Sequence, residues 1–353
     1  MKLPDLRLAE LQNKRVFLRL DLDVPLIHDS ESRIQVEDDA RLWATYETVQ
    51  FLLEQNARVI IAGHLGRPDG RDEKFTLKPV AYWYERKLNI SISEGKIGEF
   101  SCWNIGDVSI LENLRFYPGE ESGDLEFTRE LSSLADIYVN DAFGNSHRNH
   151  ASITGVPKLL PHYAGIRLQK EVEELSKVLE NPSRPLVIVI GGEKIETKLP
   201  LVEKMLKIAD HVLVGGEIVS RSEILLRRTP DSEEYKLVLA DLNQDGTDIN
   251  DESVQKFTKI IKTAKTIVWN GPMGKLVKSS EFKVQCDDTE KGTREVANAI
   301  VESSAHTIVG GGDTVGFLKR EGLIDKFSFV STGGGAMLEF LSGEKLPGLE
   351  ALL

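Results

Sequence analysis

The chain lacks most of what would mark a secreted, membrane or nucleic-acid-binding protein. Only two cysteines, Cys102 and Cys286, stand in 353 residues, far apart and in no metal-type spacing. That usage excludes a disulfide framework and suits a reducing compartment. No long hydrophobic run is present. The longest, Leu186 to Ile190, has the length of one buried strand and is far too short to cross a bilayer. Met1 to Arg15 interleaves Lys, Asp, Arg and Glu with leucines and has no signal-peptide core, so a cytoplasmic protein is expected. Basic residues are in deficit, 44 against 56 acidic, for a net charge of −12. Such a field repels nucleic acid and acidic membranes. It repels a phosphorylated metabolite too, so any anion site must be a local basic cluster.

The familiar phosphate fingerprints are missing as well. Neither G-x-x-x-x-G-K-[ST] nor G-x-G-x-x-G stands after an expected strand, which counts against the P-loop and dinucleotide-binding classes. No 20- to 50-residue period repeats, which argues against a solenoid.

What is present is an ordinary globular balance, 41% apolar and 28% charged residues. The length exceeds what one core serves well, so two domains are expected. Short β-branched runs alternate with helical patterns, the mark of α/β architecture with mostly parallel sheets. Val16–Leu20, Val59–Ala62, Ile137–Val139, Leu186–Ile190, Val212–Val214, Thr266–Trp269, Thr307–Val309 and Ser328–Val330 read as strands. Leu42, Tyr46, Val49 and Leu53 recur at helical spacing, as do Leu168, Val172, Leu175 and Leu179. A helix over Ile166–Glu180 should end at Asn181-Pro182, with Ser183-Arg184-Pro185 as a stiff exit into the next strand. The expected division is an N-terminal domain at 1–164, a connecting helix or hinge at 165–185, a C-terminal domain at 186–335 and a tail at 336–353.

In the first half, polar residues sit just after the strands, where open α/β sheets bind ligands. Asp21 and Asp23 come after the first strand; His64, Leu65, Gly66 and Arg67 come after the second. Arg115 sits in Glu112-Asn113-Leu114-Arg115-Phe116, and Arg148 comes after Asn140-Asp141-Ala142-Phe143-Gly144 and beside His147. Arg41 opens the helix after the first loop. One surface arginine means little, but Arg67, Arg115 and Arg148 converging after strands suit a small ligand carrying phosphate and carboxylate.

In the second half the strands end in glycine instead. Gly191-Gly192 leads to Lys194 and Lys198, and Gly215-Gly216 ends the next strand. Asn270-Gly271-Pro272, then Gly310-Gly311-Gly312-Asp313-Thr314, then Gly333-Gly334-Gly335 end the others. Glycine admits backbone amides to phosphate oxygens, and a helix N-terminus adds partial positive charge. Lys194 and Lys198, four apart, share a face if a helix starts there. Asp313 at a helix start can hold magnesium or simply cap its helix.

These segments resemble, in order, the D-x-N-V-P, H-L-G-R-P, E-N-x-R-F, N-D-A-F-G-x-x-H-R-x-H, G-G-x-K-x-x-x-K, V-W-N-G-P-M-G, G-G-G-D-[ST] and S-T-G-G-G-A motifs of the phosphoglycerate kinases. The resemblance runs from Arg15 to Leu346-Pro347-Gly348. It implies two Rossmann-like domains joined by a helical hinge, and a monomer. It implies reversible transfer of a phosphoryl group between 1,3-bisphosphoglycerate and magnesium-bound ADP, giving 3-phosphoglycerate and ATP. Asp21, Asp23, Arg41, His64, Leu65, Gly66, Arg67, Arg115 and Arg148 would bind the glycerate. Gly192, Lys194, Lys198, Gly215, Asn270, Pro272, Gly311, Gly312, Asp313 and Thr314 would bind the nucleotide, Asp313 holding Mg2+. Arg41, Lys194 and Lys198 would be catalytic, and Gly333, Gly334 and Gly335 would form an interdomain phosphate loop.

Three features depart from that pattern. Asp23 stands where the family has Asn. Val277 occupies the place of a family Glu that contacts ribose, with Glu281 four residues on. Gly216 to Leu239 is shorter than the family stretch, and Glu217-Ile218-Val219 replaces a glycine–methionine–alanine run. A kinase for another acyl phosphate or nucleotide is the nearest rival, then a catalytically retired relative and, more distantly, a dinucleotide dehydrogenase.

Overall fold

The computed structural model describes residues 1–28, 34–193, 195–221, 236–276 and 286–353. The chain falls into two compact units, Met1–Glu173 with Lys345–Leu353, and Glu174–Glu344. Residues 336–344, expected to belong to the tail, lie in the second unit. There the helix Gly335–Leu341 contacts the helix Ile195–Ile208.

The first unit contains strands β1 (Arg15–Arg19), β2 (Leu26–His28), β3 (Ile34–Val36), β4 (Arg58–Ala62), β5 (Ser93–Ile97), β6 (Phe100–Ile105), β7 (Val108–Leu111), β8 (Ile137–Asn140) and β9 (His162–Ala164). Seven of these form one sheet in the order β5-β6-β7-β4-β1-β8-β9, while β2 and β3 pair as a separate antiparallel ribbon. From β7 to β9 the sheet is parallel. Val16, Phe17, Leu18, Ile60 and Ile61 are buried, as a parallel sheet covered on both faces requires. The helix Ala40–Glu54 buries Leu42, Tyr46, Val49 and Leu52 against this core. Leu52, one residue before the expected Leu53, completes its buried face.

The second unit contains β10 (Leu186–Ile190), β11 (His211–Val214), β12 (Leu237–Leu239), β13 (Thr266–Asn270), β14 (His306–Gly310) and β15 (Phe329–Val330). They form an all-parallel sheet in the order β12-β11-β10-β13-β14-β15. Every residue of β10 and β13 is buried. The helix Asp251–Ile261 shows how the covering layer is specified. The Asn250 side chain accepts from the Ser253 N–H, Asp251 and Glu252 sit at its positive end, and Val254, Phe257 and Ile261 face inward.

All eight expected strands and the helix Ile166–Glu180 are present. The strands not expected are β2, β3, β5, β6, β7, β9 and β12. Most are short or lie at the sheet margin, and β5 (Ser-Glu-Gly-Lys-Ile) has no fully buried residue, so neither alternation nor an apolar run marks it.

A buried knot of polar groups fixes the loops at the C-terminal ends of β4 and β7. Asn113, fully buried, donates to the Leu65 carbonyl at 2.8 Å and the Phe75 carbonyl at 2.9 Å, and accepts from the Arg115 N–H at 3.0 Å. Glu112 accepts from Thr76 Oγ1 and the Leu77 and Asn113 N–H groups. Asn113→Ala strands two carbonyls and an amide, and should lower unfolding free energy by about 2–4 kcal/mol. Urea denaturation checks this. A loss under about 0.5 kcal/mol, the scale of an ordinary surface change, would show that these loops hold their place without Asn113.

Candidate active site

In the first unit β7, β4, β1 and β8 lie side by side and parallel, so four C-terminal ends open on one edge. The loops leaving them carry Glu112–Arg115, His64–Arg67, Asp21–Asp23 and Asp141–His150. The structure joins these loops by specific bonds. Asp23 Oδ1 accepts from the Gly66 N–H at 2.8 Å, tying the loop after β1 to the loop after β4. Arg41 Nη1 donates to the Asp23 carbonyl at 2.6 Å and lies 3.4 Å from Asp21 Oδ1 and 3.9 Å from Asp23 Oδ2. Arg115 Nη1 donates to the Gly66 carbonyl at 2.6 Å, and its Nε is 2.9 Å from Glu121 Oε1. An Asn at position 23 would make the Gly66 bond equally well through its amide oxygen. What the aspartate adds is a charge against Arg41.

The pKa shifts record how closely the cations are packed. Burial, then the charges of Arg19 and Arg115, hold His64 well below the ordinary histidine range. Burial and the same two arginines push His150 down to about 4. Burial, then Arg148, lowers His147. Burial is also the first cause lowering Arg115, with Arg19 and Arg148 adding to it. Desolvated cations crowding one another destabilise their charged forms, and an anion arriving among them relieves that. Arg67 is exposed and Arg148 half-buried, and neither side chain has a hydrogen bond or ion pair among the described residues. Leu65 is buried and contributes its carbonyl to Asn113.

In the second unit β11, β10, β13, β14 and β15 likewise end on one edge. The glycines there fall into two groups. Gly191, Gly192 and Gly215 have their amides occupied by the carbonyls of Asn270, Pro272 and Ile190 at 3.0, 2.8 and 2.9 Å. A Cβ on Gly191 would collide with the Pro272 carbonyl, one on Gly271 with the Gly191 carbonyl, and one on Gly216 would meet the Gly192 nitrogen. Gly271 and Gly216 also have φ of +95° and +73°. These residues let three loops interlock. Both the Gly192 and Gly215 protons are already bonded, so these two residues would meet a nucleotide by something other than a free N–H. Gly312, Gly334 and Gly335 differ: a Cβ on any of them would meet nothing within 4 Å.

The helix Gly312–Arg320 starts at this edge with its first-turn amides free of helical partners. Its N-cap is Gly311 and no side chain caps it, so Asp313 is not a capping residue. Thr314 is buried and its Oγ1 accepts from the Gly271 N–H at 2.9 Å. Asn270, 5% exposed, keeps a buried Nδ2 next to Gly311 with no partner among the described residues. Lys198 Nζ donates to the Gly191 carbonyl, and burial pulls it down to about 8, partly countered by Asp313. Gly333 donates to Ser331 Oγ at 3.1 Å. Lys194, Val277 and Glu281 lie outside the described residues, as does most of the shortened stretch. Arg19, Glu120 and Ser152, which underlie the first edge, were not among the expected site residues. The available signal was Arg19, one charge inside an otherwise apolar strand.

The first unit offers a cation cluster at its strand ends and the second a lysine and a free helix N-terminus, each suited to anionic groups. The family model for phosphoglycerate kinase matches residues 6–229 and 227–344. The chain belongs to the phosphoglycerate kinase family. A phosphoglycerate kinase of Leptospira biflexa is 37% identical over 404 aligned positions, covering 100% of this chain and 99% of that protein. One of Coprothermobacter proteolyticus is 37% identical with the same coverage. The solved phosphoglycerate kinase of Coxiella burnetii superposes with a TM-score of 0.80 at 32% identity, covering 99% of each chain. That of Pyrococcus horikoshii gives 0.78 at 30%, covering 99% of this chain and 98% of its own. The family match breaks at 227–229, inside the stretch that reads as shortened.

Lys198 also makes a stability prediction. Its pKa in the folded chain is about 8 against an ordinary 10.5, so below about 8 both states carry the proton and folding bears the full cost of desolvating it. Between the two values the unfolded chain holds more protons, so stability rises with pH and the cost fades. Lys198→Met should therefore raise the melting temperature at pH 7, with the gain narrowing by pH 10. A gain independent of pH would mean that Nζ is not desolvated.

Proposed function

We propose that this chain catalyses reversible phosphoryl transfer between 1,3-bisphosphoglycerate and MgADP, giving 3-phosphoglycerate and MgATP, as a cytoplasmic monomer. The observation that carries this reading is the pair of guanidinium groups, Arg67 and Arg148, without partners among the described residues, on the strand-end loops that also carry Arg115, in a chain of net charge −12. An acidic protein that leaves arginines unpaired on a ligand-binding edge has a use for them with an anion. Arg67, Arg115 and Arg148 suit the phosphate and carboxylate of a glycerate through bidentate forks. Asp21 and Asp23 orient Arg41 and suit the glycerate hydroxyl as acceptors. In the second unit the free amides of Gly312 and Asp313, the orphaned Nδ2 of Asn270 and the ammonium of Lys198 suit nucleotide phosphates.

The donor set fits Mg2+. No group of three or more metal-ligating side chains exists among the described residues, while Asp313 is exposed and not engaged in capping. One carboxylate with phosphate oxygens and water is the usual magnesium arrangement. Bound there, the ion would supply neutralisation of phosphate charge. The chain's own residues position and stabilise. The attacking carboxylate and phosphate oxygens are ionised near neutral pH, so no general base is needed. Arg41 and Lys198 serve the charge spread over the moving phosphoryl group, where preorganised cations act most strongly. Lys194 is proposed for the same role on its motif position.

A coupled assay with 3-phosphoglycerate and MgATP tests the reading directly; no turnover with this pair would overturn it. Lys198→Ala should lower kcat by on the order of 10² or more, and near-normal turnover would remove Lys198 from the mechanism. Arg148→Lys keeps the charge and loses the fork, so affinity for 3-phosphoglycerate should fall by about tenfold while nucleotide affinity holds. Calorimetry with each ligand alone separates these. Equal losses for both would refute the assignment of the two ligands to separate units.

A further inference from the structure

Beneath the cation cluster lies a buried chain of polar groups that the proposed phosphoryl transfer does not use. Arg19, in β1, has no exposed surface. Its Nε–H donates to Ser152 Oγ at 2.8 Å, its Nη1 donates to the Leu20 carbonyl, and its Nη2 lies 3.3 Å from His64 Nδ1. Ser152, in the turn Ala151–Gly155, passes the contact on. Its hydroxyl donates to Glu120 Oε1 at 2.5 Å and its N–H to Glu120 Oε2 at 3.0 Å. The Tyr138 hydroxyl holds the same turn through the Ser152 carbonyl at 2.8 Å. Glu120, from the short helix Pro118–Ser122, is fully buried. Two opposite charges thus sit in the core joined through one hydroxyl rather than paired directly.

The far end of this chain fixes a tautomer. A guanidinium has donors and no acceptor, so His64 Nδ1 can meet Arg19 only with its lone pair. The imidazole is then neutral and its proton sits on Nε2. Burial and the surrounding charges of Arg19 and Arg115 also disfavour the doubly protonated ring. Among the described residues His64 Nε2 has no hydrogen-bond partner. We propose that Glu120 is a positioning residue which, through Ser152 and Arg19, locks His64 as a neutral Nε2–H donor toward the anionic substrate. The substrate part of this rests on the glycerate reading of the cluster. A neutral donor among arginines adds a directional bond without adding a further mutually repelling charge.

The test pairs a spectroscopic readout with a kinetic one. Nitrogen-15 NMR of the imidazole should show wild-type His64 as the Nε2–H form alone. Glu120→Gln and Ser152→Ala should each give a mixture of tautomers at His64. Each should raise KM for 3-phosphoglycerate by about 3–10-fold, the scale of one misplaced hydrogen bond, and leave KM for ATP unchanged. Ser152→Ala removes one oxygen and keeps the backbone bond to Glu120, so it carries the test should Glu120→Gln not fold. A plain countercharge role for Glu120 would lower the melting temperature and leave both readouts alone. That result, or a wild-type His64 protonated on Nδ1, overturns the proposal. If the wild type fails to turn over 3-phosphoglycerate, the site reading falls, and the NMR comparison still decides whether Glu120 sets the tautomer.

Discussion

A chain of net charge −12 that is to hold small anions must keep cations together without neutralising them. Much of the first unit's architecture answers to that constraint. Crowded like charges repel, and burial strengthens the repulsion, so each cation is held in part by a neutral acceptor. Arg41 is held by a carbonyl and two carboxylates at 3.4 and 3.9 Å. Arg115 is held by the Gly66 carbonyl and an exposed glutamate. Arg19 is held by a serine hydroxyl, a carbonyl and an imidazole lone pair. The histidines between them answer the same field by remaining neutral. Backbone carbonyls recur in this role because they supply acceptor strength without a full negative charge.

The second unit meets a different constraint. Its strand ends must approach so closely that side chains cannot fit, and the glycines there serve that packing before any ligand is considered. Gly191, Gly192, Gly216 and Gly271 bring three loops into contact, and Lys198 Nζ rests against the Gly191 carbonyl in the space they leave. Among the described residues, the start of the helix Gly312–Arg320 and the Asn270 amide remain open for an anion. A lysine pulled down to about 8 by burial is a cation poised near neutrality, whose charge a bound phosphate would reinforce.

The eight main strands were legible because parallel strands buried on both faces read as unbroken β-branched runs. The helix Ile166–Glu180 was legible from its apolar spacing and the prolines beyond it. The marginal strands were not, because β5 carries Ser, Glu, Gly and Lys and owes its place to pairing with β6 rather than to its own pattern. Similarly, the arginine motifs announced an anion site, whereas Arg19 was hidden in a strand and Glu120 in a run of acidic residues of ordinary surface appearance. Glycine-rich loops announced a special backbone but not which glycines face outward.

Sequence by itself determined the class: the alternation of strands and helices, the side of each strand end that carries chemistry, and the ordered motifs that place the chain in its family. Those are local properties, set by residue type and spacing along the chain. Only the tertiary structure decided which amides are already bonded, that Asp313 does not cap its helix, and that Glu120 reaches Arg19 through Ser152. The bonded amides and the Glu120 link depend on groups far apart in sequence, such as Ser152 and Arg19 at a separation of 133 residues, and hydrogen-bond satisfaction in a buried site is settled by who is near in space.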